Sequence, residues 1–392
     1  MARRWDGAFV FVGTGGGVSS GFHGVFNPTG SYMLGYAAPL KKLYLTGRDA
    51  KQENWLSDAD VAEAIAAERR LGDRAYDRRT TAQLLAGLSS WSPAEQFWSA
   101  QEMGRRQDDV LPQLLAMVNG DNSRARLGAA IALGQLKARA IPALDTLVAL
   151  LDYNDRWLRV QAAEALRTIG ADARPVLPKM LKAAAVRDET DPMEFAVGAL
   201  AYALFYPGGA YGPSGILARS LDGIPRDLLY PAIRSIAANP DSHARGCLRS
   251  VYRLITLDDL EALAPTLIAS IGERAPANTM FSKGVRLAGI RALARLRIEE
   301  GIPLTMMMLN VREWGRAYII LEALDVLKEY GGAAKSGLPE LKAMEVELRG
   351  MKPQHGKLME VIAAIENDGN PPKLVSLRDY LGKETGREQA PP

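Results

Sequence analysis

The chain has 392 residues, of which 47% are hydrophobic and 24% charged, and its formal net charge is +3. This composition is typical of a folded protein with a large core, and the near balance of charges disfavours general binding of polyanions. One cysteine excludes an intrachain disulfide and a cysteine-based zinc cage, and three widely spaced histidines argue against an iron site built from repeated histidines. No apolar run reaches the roughly 18 residues that a membrane-spanning helix requires.

Residues 1–47 differ in character from the rest of the chain. The β-branched and aromatic run at residues 9–12 predicts a strand, and the glycine-rich residues 13–17 predict a loop. Val18 stands where a phosphate-binding fingerprint has its third glycine, so a flexible hairpin or a crossing loop is favoured over a nucleotide site. Turn and cap residues, followed by apolar residues at helical spacing, predict a helix that begins near Thr29.

Two stretches at this end carry a resemblance to α/α-toroid proteins. Residues 3–9 resemble the Q-x-x-D-G-S-W type repeat of that family. Residues 30–47 are similar to the last toroid unit of large bacterial proteins in which a toroid precedes HEAT-like repeats. The resemblance implies that residues 1–47 are a partial toroid-like segment with a Gly-rich loop, and that the chain is the C-terminal part of a larger toroid-plus-solenoid protein. It transfers no functional residue to this sequence.

Residues 48–109 are predicted to form a helical connector that caps the N-terminal side of the following repeats. One helix is expected at about 57–71. A second begins at Ser92-Pro93-Ala94-Glu95, where Ser at the N-cap, Pro at the first helical position and Glu at the third match a capping box. Large aromatic residues near this helix are expected to shield the end repeat: Trp91, Phe97 and Trp98.

Residues 110–366 contain a recurring helical phrase. Each copy has a proline near the start of a first helix, an acidic turn and then an Arg- and Ala-rich second helix. The first helices are predicted to begin near Pro112, Pro142, Pro178, Pro225, Pro265, Pro303 and Pro339. The second helices are predicted at 124–136, 156–169, 244–255, 284–296 and 316–329. The phrase resembles the HEAT family and the short repeats of bilin-lyase-like proteins, which implies an all-α, α-solenoid fold. Residues 367–392 are expected to be an irregular tail, with a short helix near 374–381.

Three arginines occupy the same place in the second helices, and they have two interpretations. Arg126, Arg159 and Arg286 each precede the first apolar position of the helix. The structural interpretation pairs each with an acid of the preceding turn, such as Asp121 or Asp152. The functional interpretation has them line a concave groove and hold acidic peptides or phosphates, because a guanidinium fork matches both.

Four aromatic residues complete the predicted binding set. Trp157 and Trp314 are flanked by arginines, which would suit stacking on bases, although a core position is the alternative for both. Tyr206 and Tyr211 flank a glycine-rich insertion in the third repeat, which is either a spacer or a contact loop.

The sequence predicts a non-enzymatic α-solenoid scaffold that binds a protein or peptide partner on its concave face. No catalytic residue, metal ligand or cofactor is predicted, because no nucleophile elbow, Cys–His dyad or distinctive carboxylate pair is present. A nucleic-acid-binding or base-processing HEAT-like protein is the first alternative, and the C-terminal part of a toroid-plus-solenoid protein of unknown activity is the second. As written, the chain is expected to be cytoplasmic. It would be exported if a signal-bearing N-terminal part is missing.

Overall fold

A computed structural model describes residues 10–12, 32–37, 42–46, 76–90, 93–209, 213–277, 282–312 and 315–381. The chain divides into two compact units, unit 1 (Met1–Asp172) and unit 2 (Ala173–Pro392). The predicted loop at 13–17 and the predicted helix at about 57–71 lie outside the described residues. No helix in the described ranges is both long enough and apolar enough to cross a lipid bilayer.

The N-terminal residues contribute a small sheet to unit 1. Its strands are β1 (Val10–Val12), β2 (Tyr32–Ala37) and β3 (Lys42–Thr46). β1 is parallel to β2, and β2 is antiparallel to β3, with Gly35 opposite Tyr44. The strand β1 confirms the prediction for residues 9–12, but the helix predicted from near Thr29 is wrong. The residues of β2 are rich in aromatic and aliphatic types, whose strand preference depends on a neighbouring strand that helical spacing alone does not reveal.

The rest of unit 1 is an array of helical hairpins. Its helices are α1 (Thr81–Leu88), α2 (Pro93–Arg105), α3 (Leu111–Asn119), α4 (Ser123–Leu136), α5 (Leu144–Ala149) and α6 (Arg156–Ile169). Short 3-10 segments occur at Lys137–Ala143 and Leu150–Asp152, and another, Gly170–Val176, follows α6. The helices pair as α1 with α2, α3 with α4 and α5 with α6, and the second helices α2, α4 and α6 pack on one another in that order.

Local sequence explains where the helices of unit 1 begin. Thr80 and Gln83 form a capping box at α1. The side chain of Asn122 accepts two backbone N–H bonds at the start of α4, and Asp155 does the same at α6. α2 begins at Pro93 as predicted, whereas its expected N-cap, Ser92, lies outside the described residues.

Unit 2 continues the same hairpin pattern. Its helices are α7 (Leu177–Ala185), α8 (Phe195–Phe205), α9 (Arg226–Ala237), α10 (Ser242–Gly246), α11 (Leu248–Leu254), α12 (Leu257–Gly272), α13 (Lys283–Arg295), α14 (Gly301–Leu309), α15 (Arg316–Tyr330), α16 (Leu338–Leu348), α17 (Lys352–Asn367) and α18 (Arg378–Leu381). A 3-10 segment, Gly331–Gly337, leads into α16. The second helices α11, α13, α15 and α17 pack consecutively, and both units are therefore helical arrays of the predicted α-solenoid class.

Two of the predicted helices in unit 2 are corrected by the structure. The first helix expected to begin near Pro265 begins eight residues earlier, at Leu257, because Thr256 and Asp259 form a capping box there. Pro265 lies inside that helix. The second helix expected at 244–255 is divided into α10 and α11 around the buried Cys247.

The C-terminal tail is partly ordered by unit 2 itself. The backbone of Val375 accepts a bond from Glu299 N–H (2.9 Å) and donates to the Arg297 carbonyl (2.8 Å). The carboxylate of Glu300 accepts bonds from the Ser376 hydroxyl (2.7 Å) and the Leu377 N–H (2.8 Å). The short helix predicted near 374–381 is present as α18.

Candidate partner-binding site

The Arg126 side chain binds the end of the first helix of its own hairpin and one tyrosine of the next hairpin. Its guanidinium donates to the carbonyl oxygens of Val118 (3.1 Å) and Gly120 (2.6 Å), at the end of the preceding helix. It also donates to the Tyr153 hydroxyl and lies 4.7 Å from the centre of that ring. Backbone carbonyls thus take the place that sequence reasoning gave to Asp121, because the last carbonyls of a helix lack intrahelical donors.

Arg159 and Trp157 lie at the start of α6 and are half-buried. Arg159 donates to the carbonyl of Tyr153 at 2.8 Å. The guanidinium of Arg156 lies 5.3 Å from the centre of the Trp157 ring, within the range of a cation–π contact. Arg156 therefore already covers part of the ring that base stacking would need. A binding role for Arg159 and Trp157 stays a prediction.

Arg286 is 4% exposed and donates to the Ile271 carbonyl at 2.7 Å. Arg245 has an equivalent arrangement in α10, with a bond of 2.6 Å to the Asn239 carbonyl. Burial lowers the pKa of Arg245, although nearby acids such as Glu273 partly oppose this effect. Both guanidinium groups join the second helix to the segment before it, and little of Arg286 is left for a partner to contact.

The insertion after α8 folds back along that helix. Tyr206 is 5% exposed, and its ring lies 5.1 Å from the ring of Tyr202. Gly215 donates its N–H to the Tyr206 carbonyl at 2.7 Å and passes so close to the end of α8 that a Cβ would meet backbone atoms at 2.6 Å. The loop is therefore fixed at both ends. Tyr211 and Trp314, the remaining predicted contact residues, lie outside the described residues.

A second set of arginines, which sequence reasoning missed, binds the ends of neighbouring second helices. Arg139 donates to the carbonyls of Met103 (3.2 Å) and Gly104 (3.1 Å) at the end of α2. Arg295 does the same for Tyr252 (3.2 Å) and Ile255 (2.8 Å) around the end of α11. Each guanidinium neutralises part of the negative end of a helix. Much of the arginine content is consequently used inside the repeats.

Unit 2 contains a groove of about 380 Å³ on the face of its second helices. Three consecutive second helices, α11, α13 and α15, supply its walls. We call it the unit 2 groove, and the residues that line it are Tyr252, Arg253, Ala288, Arg291, Ala292, Arg295, Asp325, Val326 and Glu329. The alanines, Val326 and Tyr252 are buried, so the groove has a small apolar floor between charged walls.

The charges of the unit 2 groove are separated by sign. The arginines come from α11 and α13, and the carboxylates come from α15. Arg291 is paired with Glu322 of α15, and Asp325 is held by Lys357 at 2.7 Å. Arg253, in contrast, is exposed and has one long bond of 3.5 Å to the Ser250 hydroxyl.

Glu329 is exposed at the other wall of the unit 2 groove. Within the described ranges its carboxylate has no hydrogen-bonded or ion-paired partner. The spacing of charged residues along α13 and α15 is a sequence signal for this charged face. Arg291 and Arg295, and likewise Asp325 and Glu329, are spaced four apart and therefore share one helix face.

A cluster of hydrogen-bonded ionisable groups lies at the N-terminus of α12. Asp259 accepts bonds from Arg226 (2.9 Å), Tyr230 (2.8 Å) and the Thr256 N–H (2.8 Å). Burial alone would raise the pKa of Asp259, but these bonds outweigh it and lower the pKa. Burial and the bond to Asp259 raise the pKa of Tyr230 to about 12. Every member is engaged in joining the two first helices α9 and α12, which is a structural arrangement.

The described residues offer no group of three or more His, Cys, Asp or Glu side chains that could hold a metal ion. Cys247 is 1% exposed and is therefore a small core residue.

Stacked hairpins with buried, backbone-binding arginines define a helical-repeat protein of the α-solenoid class. Residues 81–167 match the family model for HEAT repeats, which spans α1 to most of α6. These residues are thus HEAT-like repeats, as the sequence predicted, and the other described helices stack in the same hairpin pattern. The match begins inside the segment that was predicted to be a connector, and α1 and α2 pack there as a hairpin of the array. Comparison with curated proteins finds no significant match.

Proposed function

We propose that this protein is a non-enzymatic scaffold that binds a segment of a partner protein in the unit 2 groove. The observation that carries the proposal is the groove itself, where three successive second helices leave an apolar floor between charged walls. HEAT repeats form helical scaffolds of the kind that often mediate protein interactions. A partner segment that lies across the helices would bury the floor and meet charges of both signs.

A protein partner fits the described residues better than a nucleic acid. A polyanion-binding face presents several uncommitted cations together. In the unit 2 groove Arg291 is ion-paired, Arg295 is bound to helix-end carbonyls, and two carboxylates face them. In unit 1, Arg126 and Arg139 donate to carbonyl oxygens. These four arginines are therefore engaged within the repeats.

Site-specific photo-crosslinking of the full chain tests the proposal in its source cells. A photoreactive residue replaces Asp325, an exposed groove residue whose charge is already paired with Lys357, and in a matched control it replaces Arg349, an exposed residue between α16 and α17. We expect a defined protein to be crosslinked from position 325 and not from position 349, and to bind the unmodified chain when purified. Equal crosslinking from both positions, or crosslinking to nucleic acid, would contradict the proposal.

A further inference from the structure

The unit 2 groove also indicates what its ligand looks like, and this inference rests on the proposed function. Within the described ranges, the groove charges that are neither ion-paired nor bound to helix-end carbonyls are Arg253 on α11 and Glu329 on α15. Helix α13 packs against both of these helices. We propose that the groove recognises an extended peptide segment that carries one acidic and one basic side chain at a fixed separation. The acidic side chain binds Arg253 and the basic one binds Glu329.

The separation follows from helix packing. Packed helices lie about 8–10 Å apart, so the axes of α11 and α15 are about 16–20 Å apart across α13. An extended chain advances about 3.3 Å per residue, so about five or six residues span that distance. The residues between the two charges lie over Ala288, Ala292 and Val326, where the absence of large side chains leaves room for a backbone.

The two anchor charges differ from the other charges of the groove in what they already bind. Arg291 and Asp325 are held by Glu322 and Lys357, so a ligand would have to break an existing ion pair to use either of them. Arg253 has one weak bond to lose. The ligand therefore gains most of its binding free energy at the two ends of the groove. This makes the separation of its two charged side chains the main determinant of selectivity.

Selection from a random peptide library on the full chain tests the inference, with Arg253→Glu and Glu329→Lys as variants. All three proteins should enrich charged pairs at the same separation of about five or six residues. The wild type should enrich one acid with one base, Arg253→Glu two bases, and Glu329→Lys two acids. Arg349→Glu is the matched control and should enrich the same peptides as the wild type.

Binding of a selected acid–base peptide should weaken about tenfold in Arg253→Glu, because reversal replaces an attraction with a repulsion. Both substituted side chains are exposed, so circular dichroism should show an unchanged fold. Failure to enrich spaced charge pairs, or the same enrichment by all variants, would overturn the inference. The proposed function would still stand if crosslinking at position 325 captured a partner, and it would fail separately if it did not.

Discussion

Replacement of Gly128 by alanine tests the packing on which the HEAT-like array depends. Alanine in a helix interior normally stabilises by about 0.5–1 kcal/mol relative to glycine. Here a Cβ would lie 2.1 Å from the Leu88 carbonyl oxygen and 2.8 Å from its carbon, and both are backbone atoms that cannot rotate away. The same carbonyl accepts a bond of 3.1 Å from the buried Gln96 side chain. Any shift of Leu88 therefore disturbs the junction of α1, α2 and α4.

We expect Gly128→Ala to lower the free energy of unfolding by about 2 kcal/mol. Overpacking costs about 1–3 kcal/mol, a lost hydrogen bond adds about 1 kcal/mol, and the helix preference of alanine offsets part of this. Urea unfolding should be followed by tryptophan fluorescence, because five of the six tryptophans lie in unit 1.

Gly356→Ala is a control substitution that should raise the free energy of unfolding instead of lowering it. Gly356 lies inside α17, and a Cβ there would meet nothing within 4 Å. We expect an increase in stability of about 0.5–1 kcal/mol, measured by helical ellipticity. A Gly128→Ala protein that is as stable as the wild type, or more stable, would refute the packing of α4 against α1 described above.

Three further predictions concern buried polar groups and the choice of partner. Arg286→Met should lower the free energy of unfolding by about 1–3 kcal/mol, since it leaves the buried Ile271 carbonyl without its donor, whereas Arg253→Ala should change it by less than about 0.5 kcal/mol. Because the pKa of Asp259 is lowered in the folded state, its ionised form stabilises the fold at pH values above the unfolded-state pKa of about 3.9. This stabilisation is lost as the pH falls through the folded-state pKa. The difference in unfolding free energy between wild type and Asp259→Asn should therefore be largest at neutral pH and shrink below about pH 4; a constant difference would contradict this account. Titration with a short DNA duplex should show no binding at about 50 mM salt, and affinity that falls steeply between about 50 and 200 mM salt would revive the nucleic-acid alternative.

The repeats were predictable because their signals are local. Helix α6 begins and ends where the sequence placed it, since Asp155 caps its start and Gly170, with a φ of 75°, ends it. Pro265 misled the prediction of α12 because a proline marks a helix start only when no better cap lies upstream, and Thr256 with Asp259 is such a cap. β2 was misassigned because strand formation there depends on pairing with β1 and β3.

The candidate site was less predictable than the fold. Whether the guanidinium of an arginine is left for a ligand or is bound to a carbonyl oxygen depends on the helix ends that surround it, as Arg126 and Arg295 illustrate. The two anchor charges, Arg253 and Glu329, are 76 residues apart in the sequence numbering. Only the stacking of α11, α13 and α15 brings them to one groove.

The affinity of the crosslinked partner for the full chain tests the central claim most directly. The purified partner should be titrated against wild type, Arg253→Glu and Arg349→Glu at low and moderate salt. We predict that Arg253→Glu binds about tenfold more weakly and that Arg349→Glu binds as the wild type does, with the difference reduced as salt rises. Equal affinities for all three proteins would contradict the claim that Arg253 anchors the partner in the unit 2 groove.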